Sequence, residues 1–415
     1  MRITNVETHI IAPPFQSFNA EDLRLYHGDV YSYRTVIILH TDNGLEGLGD
    51  LCGRGNDRVS ELLERLPGTN PCDWLAHPDV PTGVAPAIYD LVGKYNEVPA
   101  YKLFGPKVRS RVPLGGWCVS LTPSKMAVEV EKAAEAGYTW LKFHTDHFHD
   151  VVAQTAAMQE VAPKGFKLHY DMNADSTANH MTEVIRDLVE YPVAGAIEDP
   201  VVPHDHAGYR LLRQKCPIPL YDHHLTLGGR EALSGLADGY MMGHVDIRAA
   251  VDRAGLFEAA NVPYMTQFGG GNIMRAFVVH MAAAHRMATL HHVTVSNLWA
   301  EDVVTPVFEV SGGTTRVPEE PGLGVTLDRE ALARLKEAEP IPIPHALGRL
   351  QYQGMPPVYM RPPLRPLLRT TPQHIDGYGP GYNYPVDLDF WYDDGSEEFK
   401  TWWDKAVDGP VTGTF

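Results

Sequence analysis

Three apolar runs in the middle of the chain each end in an acid: FKLHYD in Asp171, VAGAIE in Glu198 and IPLYD in Asp222. The intervals are 198 − 171 = 27 and 222 − 198 = 24 residues, each close to one strand and helix unit. Carboxylates gathered on adjacent strand ends repel one another unless a cation lies among them. Hard oxygen ligands of this kind suit Mg²⁺, with Mn²⁺ as the alternative, better than Zn²⁺. One run earlier, TWLKFHT carries Lys142 and His144 two residues apart, so strand alternation turns both to one face. There an ammonium can hold a carboxylate oxygen and an imidazole of near-neutral pKa can accept a proton. A single acid at a strand end is more often a helix cap or a surface group; the ordered series is what points to a shared site.

For these side chains to meet, their strands must converge. From Val112 onward, eight short β-type runs alternate with helical stretches: VPLGGWC, TWLKFHT, FKLHYDMN, VAGAIEDP, IPLYDHH, GYMMGHVD, PYMTQF and VTVSN. That alternation predicts an α/β fold with a parallel sheet closed into a (β/α)8 barrel of the TIM type, in which all C-terminal strand ends share one mouth. Between the first two runs, Thr122-Pro123-Ser124 opens a helix through Ala136 that Gly137 terminates. Ahead of the barrel, VETHII, TVIILHT and LEGLGD alternate apolar and polar residues around the turn signal Asp42-Asn43-Gly44, and helical spacing follows over Arg58–Leu66 and Val84–Leu103. A small α+β domain results. Past residue 315 come a short helix, Arg329 to Glu339, a tract with IPIP, MPP and RPPLRP, and the aromatic-rich stretch YGPGYNYPVDLDFWYDDGSEEFKTWWDK. This tail reads as a long arm with little regular structure, packed down by Trp391, Trp402 and Trp403. A lid over the site is its sharper reading.

The chain has 415 residues, 44% of them hydrophobic and 21% charged, the balance of a folded globular protein with more than one domain. A formal charge of 35 − 52 = −17 argues against nucleic acid and anionic membranes as partners. An anionic substrate therefore needs local cationic help. Cys52, Cys72, Cys118 and Cys216 show no CxxC spacing, and no run approaches the 18 or so apolar residues of a membrane span, so reduced thiols and a cytoplasmic location are expected.

With these motifs the sequence resembles the enolase superfamily, in its branch of mandelate racemases, muconate lactonizing enzymes and acid-sugar dehydratases. The likeness runs to about residue 315 and includes TDNGLEGLGD. The family's Lys-x-Lys is similar to Lys142-Phe143-His144, its Asp-x-Asn to Asp171-Met172-Asn173, its Glu-Asp/Glu-Pro to Glu198-Asp199-Pro200, and its fifth-strand acid to Asp222. The resemblance implies a capping domain over residues 1–112, a barrel over 113–315, and a segment, 316–415, that completes the cap and adds the arm. It further implies Mg²⁺ held by Asp171, Glu198 and Asp222 against a small carboxylate substrate, and a homo-oligomer. Removing the proton α to that carboxylate gives an enediolate; dehydration of a hydroxy acid or acid sugar is the expected outcome. An epimerase or racemase, a cycloisomerase, and a non-catalytic metal-binding relative are the alternatives. Asn173, His223 and Gln267, with His27, Tyr31 and Tyr33 of the loop LYHGDVYSY, are expected near the substrate.

The sequence also departs from the family. His144 stands where the second lysine is usual, Gln267 where mandelate racemases carry a catalytic histidine, and on the sixth strand either His244 or Asp246 could face the mouth. Other histidines, in HTDHFHD (144–150), DHH (222–224) and LHH (290–292), read mostly as loop residues, with His147, His149, His223 and His224 near enough to the mouth to touch a substrate. Gly269-Gly270-Gly271 reads as a tight loop, with anion binding at the following helix N-terminus as the alternative.

Overall fold

The structure is a computed structural model that describes residues 1–412 apart from 18, 147, 175 and 366–385. His147 and the YGPGYNYP part of the tail lie outside the described residues. The first element is an antiparallel sheet of β1 (Ile3–Ile11), β2 (Arg34–Thr41) and β3 (Glu46–Cys52), with the Asp42-Asn43-Gly44 turn joining β2 to β3. Val36, Ile37, Ile38 and Leu39 are all buried, because helix Ala85–Tyr95 packs on β2 and β3 while helices Asn272–Ala284 and Arg329–Lys336 pack on β3 and β1. Gly47 permits the closest contact: a Cβ there would stand 2.2 Å from the Ala87 carbonyl oxygen of helix Ala85–Tyr95.

β4 (Arg111–Pro113) pairs with Thr314–Arg316 and leads into the barrel. The barrel strands are β5 (Gly116–Val119), β6 (Trp140–His144), β7 (Lys167–Asp171), β8 (Ala194–Glu198), β9 (Leu220–Asp222), β10 (Gly239–Met242) and β11 (Tyr264–Thr266), parallel and adjacent in chain order. Helices lie between successive strands, the first over Pro123–Glu135 as its proline and Gly137 predict. The eighth expected run, VTVSN, closes the ring without forming a regular strand. Gly115 donates to the His292 carbonyl (2.9 Å) and His292 to that of Pro113 (3.1 Å) on the β5 side. On the β11 side Val293 donates to Thr266 (2.9 Å) and Phe268 to Val293 (3.2 Å). Val295, at φ +57°, turns the chain away before a strand can extend.

A buried ion network locks the two domains. Arg34 of β2 holds Asp50 of β3 (2.7 Å) and Asp302, from beyond the barrel (3.0 Å). Those carboxylates also accept the first N–H groups of helix Asn272–Ala284: Gly271 to Asp50 (2.6 Å) and Asn272 to Asp302 (2.9 Å). The glycine run is therefore a tight loop whose helix N-terminus is taken by the protein's own anions. A Cβ at Gly271 would collide with the Arg34 guanidinium at 1.9 Å.

The tail corrects one expectation. Instead of an arm with little regular structure, Ala346–Tyr352, Val358–Met360, Val386–Tyr392 and Val411–Thr412 form an antiparallel sheet, with a helix over Glu397–Lys405 between its last two strands. The described prolines stand outside these strands, and alternation within ALGRLQY and VDLDFWY gives the sheet its register, with Arg349 opposite Asp389 (2.9 Å) and Leu347 opposite Trp391. The aromatic residues cover this sheet, Trp402 stacking on Tyr359 at 4.5 Å. Among the described residues no helix is long and apolar enough to cross a membrane.

Two outcomes follow for stability. Arg34→Met strands two buried carboxylates and should cost about 3–5 kcal/mol, read as a clear drop in Tm; an unchanged Tm contradicts the lock. On helix Pro123–Glu135, burial pushes the Glu129 carboxyl up from an ordinary 4.5 to about 8. A raised folded-state value means that its contribution is fully present below about pH 4.5 and is lost as pH climbs through about 8. Glu129→Gln should flatten the fall of Tm between about pH 4.5 and 8, and an identical slope in the variant contradicts this.

Candidate active site at the barrel mouth

Strand register builds the site. His144, Asp171 and Glu198 are aligned across β6, β7 and β8, and Lys142 and His169 form the row beneath. From that lower row the Lys142 ammonium reaches up between the acids, 2.9 Å from Asp171 Oδ2 and 2.6 Å from Glu198 Oε2, and donates to Gln267 Oε1 at 2.5 Å. His144 Nε2 lies 3.1 Å from the same Asp171 oxygen. His169 and His223 bracket Glu198 at 2.8 and 3.0 Å. Behind His169 stands His291 (2.8 Å), itself stacked on Trp140 at 4.0 Å.

Burial dominates the electrostatics, and partners decide the outcome. Burial alone would raise the Asp171 carboxyl, yet the Lys142 ammonium, with His144 in hydrogen-bond contact beside it, holds it well below the usual carboxylate range. Glu198 is held low against burial and Asp171 by Lys142, His169 and His223. Burial, then the Arg365 charge, pushes His144 down to about 4, so its imidazole is neutral near pH 7. For Asp222, burial, then Asp199, outweighs the Leu225 hydrogen bond and His224 and pushes the carboxyl up to about 7.

This donor set fits a hard divalent cation. Four buried carboxylates, Asp171, Glu198, Asp199 and Asp222, end or follow β7–β9 against a single buried lysine among the described residues. The expected trio is not drawn to one point, however. Lys142 supplies the positive charge between Asp171 and Glu198, while Asp222 Oδ1 accepts a long bond from Leu225 N–H (3.4 Å). The three ligand atoms that lie within 4.8 Å of one another belong to Glu198, Asp199 and His223.

Over this row opens a cavity of about 250 Å³ lined by His144, Asp171, Asn173, His223, His244 and Gln267. A larger groove of about 520 Å³, between helix Pro123–Glu135 and the 296–310 segment, holds none of the strand-end acids. Of the sixth-strand pair, His244 (φ +52°) lines the mouth and stacks on His223 at 5.3 Å. Asp246 instead caps helix Ile247–Ala260 by accepting from Ala249 N–H (2.8 Å), with Arg58 at 3.9 Å. His27 and Tyr31 form an aromatic wall with Trp117, which meets His144 edge-on at 5.1 Å. Asn173 donates its backbone N–H to Asp171 Oδ1 at 2.9 Å. Tyr33 packs under Arg54 at 3.7 Å. His224 binds Asp199 (2.6 Å), and His149 binds Asp146 (3.0 Å) and Tyr26 (3.3 Å). The loop reading fails for His291 and His292, which are buried because they pack inside the closing barrel. Sequence reasoning missed His169, although alternation from Asp171 puts it on the inner face, and it missed Arg365, which carries no local signal.

Residues 125–331 match the family model described as Enolase C-terminal domain-like. The chain belongs to the enolase superfamily. Within it the similarity is to the mandelate racemase and muconate lactonizing branch. D-xylonate dehydratase of Haloferax volcanii is 26% identical over 73% of this chain and 86% of its own length. Muconate cycloisomerase 1-2 of Acinetobacter lwoffii is 24% identical over 61% and 69%. A solved enolase from Mycobacterium smegmatis, complexed with formate and acetate, superposes with a TM-score of 0.66 at 21% identity, covering 81% of this chain and 91% of that one, which shows the shared fold of this enolase-superfamily chain. Since Asp246 is a helix cap, Asp246→Ala should cost about 1 kcal/mol of stability by denaturant titration; an unaltered midpoint contradicts the capping role.

Proposed function

We propose that this enolase-superfamily chain is a Mg²⁺-dependent enzyme that removes the proton α to a substrate carboxylate and dehydrates a hydroxy acid or acid sugar through an enediolate. The observation that carries the reading is the row of Lys142, Asp171, Glu198 and neutral His144 at one barrel mouth. Asp171, Glu198 and Asp222 would hold the metal, which when bound supplies Lewis-acid stabilisation of the carboxylate and its developing charge. Lys142 donates to a substrate oxygen as charge builds there, and Gln267 orients its ammonium. His144 accepts the α-proton in its neutral form and can return it to the departing β-hydroxyl. Lys142 is the alternative base, should its proton be lost. His27, Tyr31 and Trp117 wall this side of the mouth and exclude water from the proton transfer.

A second reading has its own support. β6 and β10 stand four places apart in an eight-membered ring, so His144 and His244 flank the acids from opposite walls. Two proton carriers on opposite faces suit racemisation or epimerisation, and a cycloisomerase uses the same first step. Incubating the Mg²⁺-loaded protein with acid sugars in D₂O separates the outcomes. Keto-acid formation is the expected result; α-deuteration without keto acid supports the second reading. His144→Asn should lower either rate by about 10²–10⁴-fold with Mg²⁺ affinity kept. Full activity in that variant transfers the base role to Lys142 or His244.

A further inference from the structure

The tail brings a cation into the mouth. The segment Arg361-Pro362-Pro363-Leu364-Arg365 leaves the C-terminal sheet and lies on the end of the capping helix Ala20–His27. Leu364 is fully buried and donates its N–H to Leu25 O (2.9 Å). Two glycines make room for it: a Cβ on Gly28 (φ +59°) would stand 3.2 Å from Pro363, and one on Gly348 would stand 2.8 Å from Leu364. Tyr26 of the same helix meets Phe390 of the C-terminal sheet edge-on at 5.9 Å. Arg365, next along, is therefore delivered from a fixed platform. It lines the cavity with His144 and Asp171, donates to Asn173 Oδ1 at 3.0 Å and lies 3.4 Å from His27 Nε2.

We propose that Arg365 is a specificity-determining residue whose guanidinium grips an oxygen-bearing, anionic part of the acid substrate, making the C-terminal segment a component of the active site. The inference rests on reading this mouth as an acid-binding site. A guanidinium presents a planar fork of donors that matches a carboxylate better than it matches a neutral amide or imidazole. In a chain of formal charge −17, an acid entering this cavity meets a long-range field of its own sign, so a fixed cation at the rim has a direct use. Asn173 ties the guanidinium to Asp171, which couples the substrate's grip to the catalytic row.

The test is calorimetric binding of D-gluconate and D-glucarate to the full-length protein, with Mg²⁺ and again in EDTA, for wild type, Arg365→Met and Arg365→Lys. Circular dichroism confirms folding, and Arg365→Gln replaces the methionine variant if that one fails to fold. The expected result is a Kd weakened about 10- to 100-fold in Arg365→Met and partly restored in Arg365→Lys. A loss confined to D-glucarate assigns Arg365 to a second carboxylate; a loss on both acids assigns it to the carboxylate or hydroxyls that they share. An unchanged Kd for both acids, or no binding of either by wild type, overturns the proposal. Wild type that binds through Arg365 yet yields neither keto acid nor α-exchange leaves the arginine assignment standing and overturns the proposed reaction instead.

Discussion

A buried ammonium shared by two buried carboxylates organises the molecule's chemistry. Lys142, Asp171 and Glu198 are each almost wholly removed from water, and an ion left unpaired there costs several kcal/mol. The barrel makes the arrangement possible by fixing β6, β7 and β8 in register, so that no side chain has to search for its partner. The same closeness holds both acids ionised, while burial and the Arg365 charge leave His144 neutral. A row of fixed charges beside a neutral imidazole is what proton removal next to a carboxylate requires.

Three peripheral features keep that mouth in shape. The Arg34 network joins the capping sheet to the helix after β11. The closing segment at His292 and Val293 completes the ring where Gln267 arises, next to β11. The C-terminal sheet braces the capping helix that carries His27. Each uses groups that look functional in isolation, such as a glycine run, a histidine pair and a cluster of tryptophans, for architecture. That is the common fate of such motifs: burial and hydrogen bonding, not residue type, decide the role.

The sequence made the barrel and its acid series legible because both depend on local regularities, strand alternation and the length of a strand and helix unit. The pairing of Lys142 with His144 was legible for the same reason, since the two share a face by periodicity alone. His244 and Asp246 could not be told apart, because the choice turns on a left-handed residue at position 244 that hands the next acid to a helix cap. Arg365 was invisible: 192 positions separate it from Asn173, and only the folded tail brings them together. The sheet within the tail was hidden by prolines that border its strands, a boundary signal that reads as an extended arm. Asp199 was visible within its motif, but nothing local distinguished it as a neighbour of Asp222 and His223.

The central claim is that the strand-end acids form one divalent-cation site able to receive an acid beside Lys142. Anomalous diffraction from crystals grown with Mn²⁺ and a hydroxy acid measures it directly. The account predicts one strong peak at about 2.0–2.2 Å from oxygens of Asp171, Glu198 and Asp222, with Lys142 drawn aside towards the acid. A peak held by Glu198, Asp199 and His223 without Asp171 and Asp222, or no peak in the mouth at saturating Mn²⁺, would contradict it.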